Sequence, residues 1–226
     1  MPFRDRHVVV TGGTGALGDA VVDALIAAGA TCHVPVHGDA GKSRHDRLVL
    51  TPHVDVTNEA AVERYYAAVP ALWASIHLAG GFTMSAFAKT EVKDFSQQID
   101  INLKSCFLCC RSAVRALHGR GGRIVNVAAR PALEWRQGAG MVAYAAAKAG
   151  VAALTVALAE EVAKDDILVN AVAPSIIDTP ANRAAMPKAD TGAWPKSAEI
   201  AATIVFLASP ENRVTRGAVV PVYGKS

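Results

Sequence analysis

Tyr144 and Lys148 stand four residues apart, as Tyr144-Ala145-Ala146-Ala147-Lys148, in a chain of 226 residues. On a helix four residues is close to one turn, so both side chains emerge from the same face. An ammonium beside a phenol favours the phenolate and lowers the pKa of a group that titrates at about 10 by itself. A proton donor to a carbonyl, or a base for an alcohol, needs that property near neutral pH. The spacing is common in proteins, so the pair gains its meaning from the elements around it.

Those elements alternate from the start. His7-Val8-Val9-Val10 reads as a strand, followed by a glycine loop and a helix over Ala16 to Ala28. Ala30 to Val36 is a second strand, where Pro35 requires an edge or terminal position. Leu48 to Leu50 is a third, followed by a helix over Asn58 to Ala68. Ala74 to Leu78 is a fourth, ending in Ala79-Gly80-Gly81. A long helix over Val92 to Leu117 is expected to break near Gln98. Arg123 to Val127, Ile167 to Val172 and Ala218 to Val222 complete the strands, with helices over Met141 to Lys164 and Ser197 to Ala208. Strands apolar on both faces, alternating with helices, define a Rossmann-like, doubly wound parallel sheet in three layers. No linker, repeat or low-complexity tract interrupts it, and 1–226 reads as a single dinucleotide-binding catalytic domain.

Thr11-Gly12-Gly13-Thr14-Gly15-Ala16-Leu17-Gly18 lies between the first strand and first helix, where a dinucleotide pyrophosphate meets a helix N-terminus. Gly12 permits the turn, Gly15 permits backbone approach, and Gly18 lets the helix pack near the sheet. Asp55 is placed to accept from an adenine amine; as a helix cap, Thr57 is better placed. Ala79-Gly80 offers bare backbone to a ribose or nicotinamide. At the end of the second strand, NAD binding presents a carboxylate and NADP binding a cation. Val36 offers neither. His37, with Lys42 or Arg44, favours a 2′-phosphate, and Asp39 a hydroxyl, so the reading is NADP or NAD with a slight lean to NADP.

The bulk properties exclude other classes. A formal charge of +3 is small, and the densest basic stretch, Lys42-Ser43-Arg44-His45-Asp46-Arg47, is interrupted by an aspartate, so no nucleic-acid track is expected. Of the four cysteines, Cys106, Cys109 and Cys110 crowd one helix with Cys32 apart; they read as small buried side chains, with no metal site. Few cysteines and no secretory segment point to the cytoplasm, and no apolar run is expected to reach the length of a membrane span.

Taken together, these motifs resemble the short-chain dehydrogenase/reductase family across the whole chain. The landmarks run in the family's order: the glycine loop, Asp55, Ala79-Gly80, Asn102 in Ile101-Asn102-Leu103, Tyr144 with Lys148, and Asn170-Ala171-Val172-Ala173-Pro174. The resemblance implies an NAD(P)-dependent oxidoreductase that interconverts a carbonyl and an alcohol, with Tyr144 as acid/base. It implies that Lys148 lowers the Tyr144 pKa and binds the nicotinamide ribose. Asn102 is implied to hold a water of a proton relay, and Pro174, Ile177 and Thr179 to place the nicotinamide. It also implies a small-molecule substrate and a homodimer or homotetramer.

One departure stands out. Where the family has a serine that steadies the substrate oxygen, the fifth strand reads Asn126-Val127-Ala128-Ala129-Arg130. Dihydropteridine reductases in the family lack that serine too, and this chain is similar to them in Gly140-Met141-Val142-Ala143-Tyr144 and from Asp178 to Asp190. Reduction of a quinonoid pterin, or a cofactor-binding sensor with little turnover, are therefore the alternatives. Phe82, Met84, Trp135, Met141, Ile176, Met186 and Trp194 are candidates to line the pocket. The segment from Ile177 to Trp194 is a candidate lid that orders on binding; Arg136, Arg183 and Lys188 read as a solvated loop face, with contact to an anionic substrate as the alternative.

Overall fold

The computed structural model describes residues 1–226. Its strands are β1 (His7–Thr11), β2 (Thr31–Pro35), β3 (Leu48–Thr51), β4 (Leu72–His77), β5 (Gly122–Val127), β6 (Ile167–Pro174) and β7 (Val219–Val222). They form one sheet in the order β3-β2-β1-β4-β5-β6-β7, and every pairing is parallel. Alternate residues feed two cores, as the period of a strand requires. Val9, Ile124 and Val169 join one core; Val8, Val10, Ile76, Val125 and Val172 join the other. Helices α2 (Glu59–Ala67), α4 (Ser105–Leu117) and α6 (Val142–Glu161) cover the first face, while α1 (Ala16–Ala27) and α8 (Ser197–Ala208) cover the second. The result is the Rossmann-like, three-layered doubly wound sheet expected from the sequence.

Because β1 has β2 on one side and β4 on the other, the winding reverses between β1 and β4. A crevice opens at such a reversal, beyond the carboxyl ends of the strands. The loops leaving β1 and β4 touch there. A Cβ on Gly12, whose φ is +67°, would lie 2.8 Å from the Ala79 amide nitrogen. The Thr11 hydroxyl accepts from that same amide at 3.3 Å.

Several expectations are corrected by tertiary contacts. The long helix breaks where foreseen, but the break is a π-helical turn, Ile99–Lys104, between α3 (Val92–Gln98) and α4. Asn58, not Thr57, caps α2, its side chain accepting from the Ala61 amide at 3.0 Å. Pro35, by contrast, takes the terminal position that was expected of it, as the last residue of β2, with β3 pairing outside it. Two stretches read as loops contain α5 (Arg130–Leu133) and α7 (Pro180–Ala185), each with proline at its first turns, where a missing amide hydrogen costs nothing.

Helix α6 also overturns the expectation that no apolar run reaches a membrane span's length. Its 20 residues reach a mean hydropathy of 1.7 over an 18-residue window. In this fold the alanine-rich composition serves close packing: Ala147, Val151, Ala152, Thr155 and Ala159 are buried against the sheet side.

Gly18 marks the tightest approach of α1 to the loop, where an added Cβ would sit 2.1 Å from the Gly12 carbonyl oxygen and 2.7 Å from Gly13 carbons. Backbone on both sides leaves no soft neighbour to yield. Gly18→Ala is therefore expected to cost about 1–3 kcal/mol of folding stability in urea denaturation; an unchanged midpoint would show that the loop relaxes freely.

Candidate active site

The first turn of α1 is built to receive an anion. Gly15 is its N-cap residue, in extended conformation, with no side chain capping the helix. Orphan N–H groups at a helix start are normally satisfied by a cap or a ligand. A Cβ on Gly15 would meet only the Gly12 carbonyl oxygen, at 3.4 Å, so the fold itself does not demand glycine there. Thr14 and Ala16 are exposed beside it, Leu17 is half-buried against the second core, and Gly18 is buried. An uncapped helix start, bare backbone and open space above it fit a dinucleotide pyrophosphate.

Beyond β2, the choice of ribose contact is narrower than the sequence indicated. Val36 is half-buried and His37 is exposed. Asp39 turns away to His53, with 3.3 Å between carboxylate and ring nitrogen, both groups well exposed. Arg44 is braced on α1 by Asp19 at 2.9 Å and Asp23 at 2.7 Å. Asp55 folds onto Thr57, accepting from its amide at 2.8 Å and its hydroxyl at 2.7 Å. Desolvation pushes the Asp55 carboxyl up, but these bonds, with the charges of His37 and Lys104 behind them, outweigh it and hold it below its usual range. One carboxylate oxygen is used in the turn.

At the crevice floor, Tyr144 and Lys148 share a face of α6, with the ammonium nitrogen 5.9 Å from the centre of the phenol ring. Lys148 is buried and donates to the Val127 carbonyl at 2.8 Å, at the end of β5. Asn102 lies in the π-helical turn, a feature that re-aims side chains at functional sites. Its amide nitrogen donates to the Gly81 carbonyl at 2.9 Å and the Gln98 carbonyl at 3.1 Å, and its oxygen accepts from the Gly81 amide at 3.2 Å. Asn102 thus fastens the backbone after β4 rather than bonding to Lys148. Gly80 sits between the two: a Cβ there would come 2.7 Å from the Asn102 oxygen and 3.5 Å from the Lys148 nitrogen.

The expected lowering of the Tyr144 pKa is not delivered by these contacts. Burial pushes the phenol up, to about 12. Burial also pushes Lys148 down, to about 8, with a smaller upward pull from Cys106. The ammonium is spent on the Val127 carbonyl, and the Phe82 ring packs perpendicular to the Tyr144 ring with centroids 5.0 Å apart. Desolvation wins over a charge that is itself poorly solvated.

Beneath Lys148 a buried polar network ties α2, α4, β4, β5 and α6 together. The Thr155 hydroxyl donates to the Val151 carbonyl at 2.8 Å, so it accepts from the Asn126 amide nitrogen at 2.9 Å. The Asn126 oxygen then faces His77 Nδ1 at 2.8 Å, which must carry the hydrogen. His77 Nε2 accepts through the Ser75 hydroxyl at 2.8 Å, itself bonded to Tyr66 at 2.7 Å. Cys106 and Cys110 bring their sulfurs within 4.8 Å of His77 Nδ1 and of each other. Cys110 donates to the Asn126 oxygen at 3.4 Å. The cysteines are buried, as their neighbours in sequence indicated. Neither His77 nor the Val127 carbonyl was picked out from the sequence; a strand-end carbonyl carries no residue-type signal.

Ala129 is buried at the head of α5, in extended conformation. Pro174 ends β6, and Ile177 offers its carbonyl to the Asn182 side chain at 2.8 Å. Thr179 caps α7, its hydroxyl accepting from the Asn182 amide at 3.2 Å. Asp178 holds Arg183 at 2.5 and 2.8 Å. This segment is already folded by its own contacts, contrary to the expectation of a lid that orders on binding. Trp194 is buried, whereas Phe82, Met84, Trp135 and Ile176 are exposed, and Met141 and Met186 half-buried.

A parallel sheet with a glycine-bordered crevice at its reversal, floored by a tyrosine and a lysine, defines a dinucleotide-dependent oxidoreductase. Comparison with known proteins agrees. The short chain dehydrogenase family model matches residues 6–190. Subunit BbsD of (2S)-[(R)-hydroxy(phenyl)methyl]succinyl-CoA dehydrogenase from Thauera aromatica is 34% identical over 199 residues, 80% of this chain and 77% of that protein. The 3-oxoacyl-[acyl-carrier-protein] reductase MabA of Mycobacterium tuberculosis is 32% identical over 237 residues, 99% of this chain and 93% of its own. A short-chain type dehydrogenase/reductase from Mycobacterium ulcerans superposes with a TM-score of 0.88 at 23% identity, covering 100% of this chain and 90% of that one. The chain belongs to the short-chain dehydrogenase/reductase family, and it is an NAD(P)-dependent oxidoreductase acting on a carbonyl/alcohol pair.

Two outcomes follow from this geometry. Gly15→Ala should leave folding stability within about 1 kcal/mol but weaken NAD(P)H affinity about tenfold or more, measured by fluorescence titration; unaltered affinity would remove Gly15 from the cofactor site. Lys148 loses its proton in the folded chain at about 8 and in the unfolded chain at 10.5, so across that window the unfolded state binds more protons and stability from this residue rises with pH. Between pH 7 and pH 10, urea titrations should move the stability difference between wild type and Lys148→Met in favour of wild type by about 2–3 kcal/mol. A pH-independent difference would contradict the burial penalty.

Proposed function

We propose that Tyr144, Lys148 and Asn102 carry the reaction and that the substrate is an activated ketone, a 3-oxoacyl group, reduced with NADPH. The observation behind this reading is the pairing of a protonated, half-buried Tyr144 with Ala129 at the position of the missing hydroxyl donor. Bound nicotinamide cofactor supplies the hydride. Tyr144 donates its proton to the substrate oxygen as the carbonyl carbon becomes a carbinol, and a phenol held above its usual pKa is in the donating form at neutral pH. That favours the reductive direction. Lys148, held by Val127, keeps a positive charge beside the phenolate that forms and is placed to bind the nicotinamide ribose. Asn102 fixes Gly80 and Gly81 against the ribose face, and Ala79 adds bare backbone.

Lacking one donor aimed at the developing charge costs roughly 2.7–4 kcal/mol of transition-state stabilisation. A neighbouring acyl group offsets this by withdrawing electrons from the ketone. The relatives fit: the names of both the Thauera aromatica and the Mycobacterium tuberculosis proteins place the reacting oxygen on the carbon β to an acyl group. For the cofactor, Val36 supplies no carboxylate and Asp39 is turned to His53, which leaves His37 and Lys42 to meet a 2′-phosphate. Gly12, Thr14, Gly15, Leu17 and Gly18 would carry the pyrophosphate, Asp55 the adenine, and Pro174, Ile177 and Thr179 the nicotinamide. The exposed Phe95, Phe107 and Val156 support a dimer or tetramer formed through α3, α4 and α6.

The test is a substrate panel. Wild type is expected to reduce 3-oxoacyl thioesters and diketones, and simple ketones at least tenfold more slowly, about the effect of one electrostatic donor. Tyr144→Phe should lose nearly all turnover while keeping cofactor affinity, and Ala129→Ser should help simple ketones more than activated ones. Tight cofactor binding with no turnover of any member would defeat the proposal.

A further inference from the structure

Phe82 has a place in the site that its position in a loop does not explain. The loop after β4 is tied at two points. Gly81 is fastened through both amide and carbonyl to Asn102, and the Ser85 amide donates to the Gly140 carbonyl at 3.0 Å. Between these ties lie Phe82, Thr83 and Met84, the methyl of Met84 standing 3.4 Å from where a Cβ on Gly140 would be. Between the tied residues the Phe82 ring stands at 89° to the Tyr144 ring, centroids 5.0 Å apart. Yet Phe82 remains 55% exposed. A phenylalanine packed on the proton donor from a loop tied on both sides, with half its surface uncovered, is a wall awaiting a partner of its own kind.

Resting on the reading of the chain as a 3-oxoacyl reductase, we infer that Phe82 is a specificity-determining residue that selects substrates bearing an aryl or other flat unsaturated group on the reacting carbon. Any carbonyl oxygen hydrogen-bonded to Tyr144 brings its carbon's substituents alongside the ring that packs on Tyr144. The remaining face of Phe82 then meets the substituent, and ring–ring contact adds to the gain from covering apolar surface. An alkyl group gains only the second of these. Burial by the same wall agrees with the upward displacement of the Tyr144 pKa.

The experiment compares kcat/KM for two N-acetylcysteamine thioesters, benzoylacetyl and 3-oxohexanoyl, in wild type, Phe82→Leu and Phe82→Ala. Leucine keeps an apolar side chain and removes only the ring. The expected result is an aryl-to-alkyl ratio about tenfold lower in Phe82→Leu than in wild type, as loss of one aromatic contact predicts. A ratio within twofold of wild type overturns the inference. If wild type reduces neither thioester, the 3-oxoacyl reading fails, and the role of Phe82 is decided by calorimetric affinity for benzoylacetone against acetylacetone in the presence of NADPH. Preference for benzoylacetone that survives Phe82→Leu, or is missing in wild type, overturns it. An ultraviolet titration of the Tyr144 phenol gives an independent reading: Phe82→Ala should lower its pKa, and an unmoved pKa would show that the ring does not wall off the phenol.

Discussion

The site depends on how closely the backbone after β4 is allowed to approach its neighbours. Gly12 and Ala79 meet at the reversal of the sheet, and Gly80 lies against both the Asn102 oxygen and the Lys148 ammonium. With a side chain at position 80, the Asn102 amide would have to shift, since its oxygen lies 2.7 Å from where the Cβ would stand. Every chemical group in the crevice is located by this contact: the glycine loop on one side, Tyr144 and Lys148 on the other, and Phe82 one residue past Gly81. Two polar anchors keep it in place, the Asn102 amide on Gly81 and the Val127 carbonyl on Lys148. Each is buried, where an unmade hydrogen bond is costly.

That arrangement stores a compromise. Lys148 and Tyr144 are both desolvated by burial, and Phe82 packs against the Tyr144 ring. Burial moves both groups toward their neutral forms, yet at about 8 Lys148 still carries its charge at neutral pH, while Tyr144 keeps its proton. Beneath the pair lies a polar network that runs from Tyr66 and Ser75 through His77 and Asn126 to Thr155. Small residues and cysteines on α4 leave room for that network against the sheet.

Much of this was legible beforehand because it follows from local pattern. Apolar runs and glycines located the strands and the loop, and the break near Gln98 was visible because the helical pattern outran one element. What eluded pattern were features decided by partners distant in the chain. Asn58 takes the α2 cap because Asp55 has already turned Thr57 to itself. Asp39 is drawn to His53, and Arg44 to two aspartates of α1, so two candidate ribose contacts are spent elsewhere. Thr179 caps α7, a helix too short to show a period, and its hydroxyl hydrogen is left over. A carbonyl such as that of Val127 has no letter in the sequence at all.

By itself, the sequence determined the winding of the sheet, the placement of the glycine loop at a helix start, and the pairing of Tyr144 with Lys148, because helix and strand periods and the lack of a Cβ are properties of residues in order. It also determined the absence of a hydroxyl at position 129. The tertiary structure decided the ionisation of the pair. Proximity in sequence predicts an ammonium acting on a phenol, but the field at Tyr144 depends on what excludes water and on where Lys148 spends its charge. Those are set by Phe82 and Val127, residues that reach the site only when the sheet has closed around them.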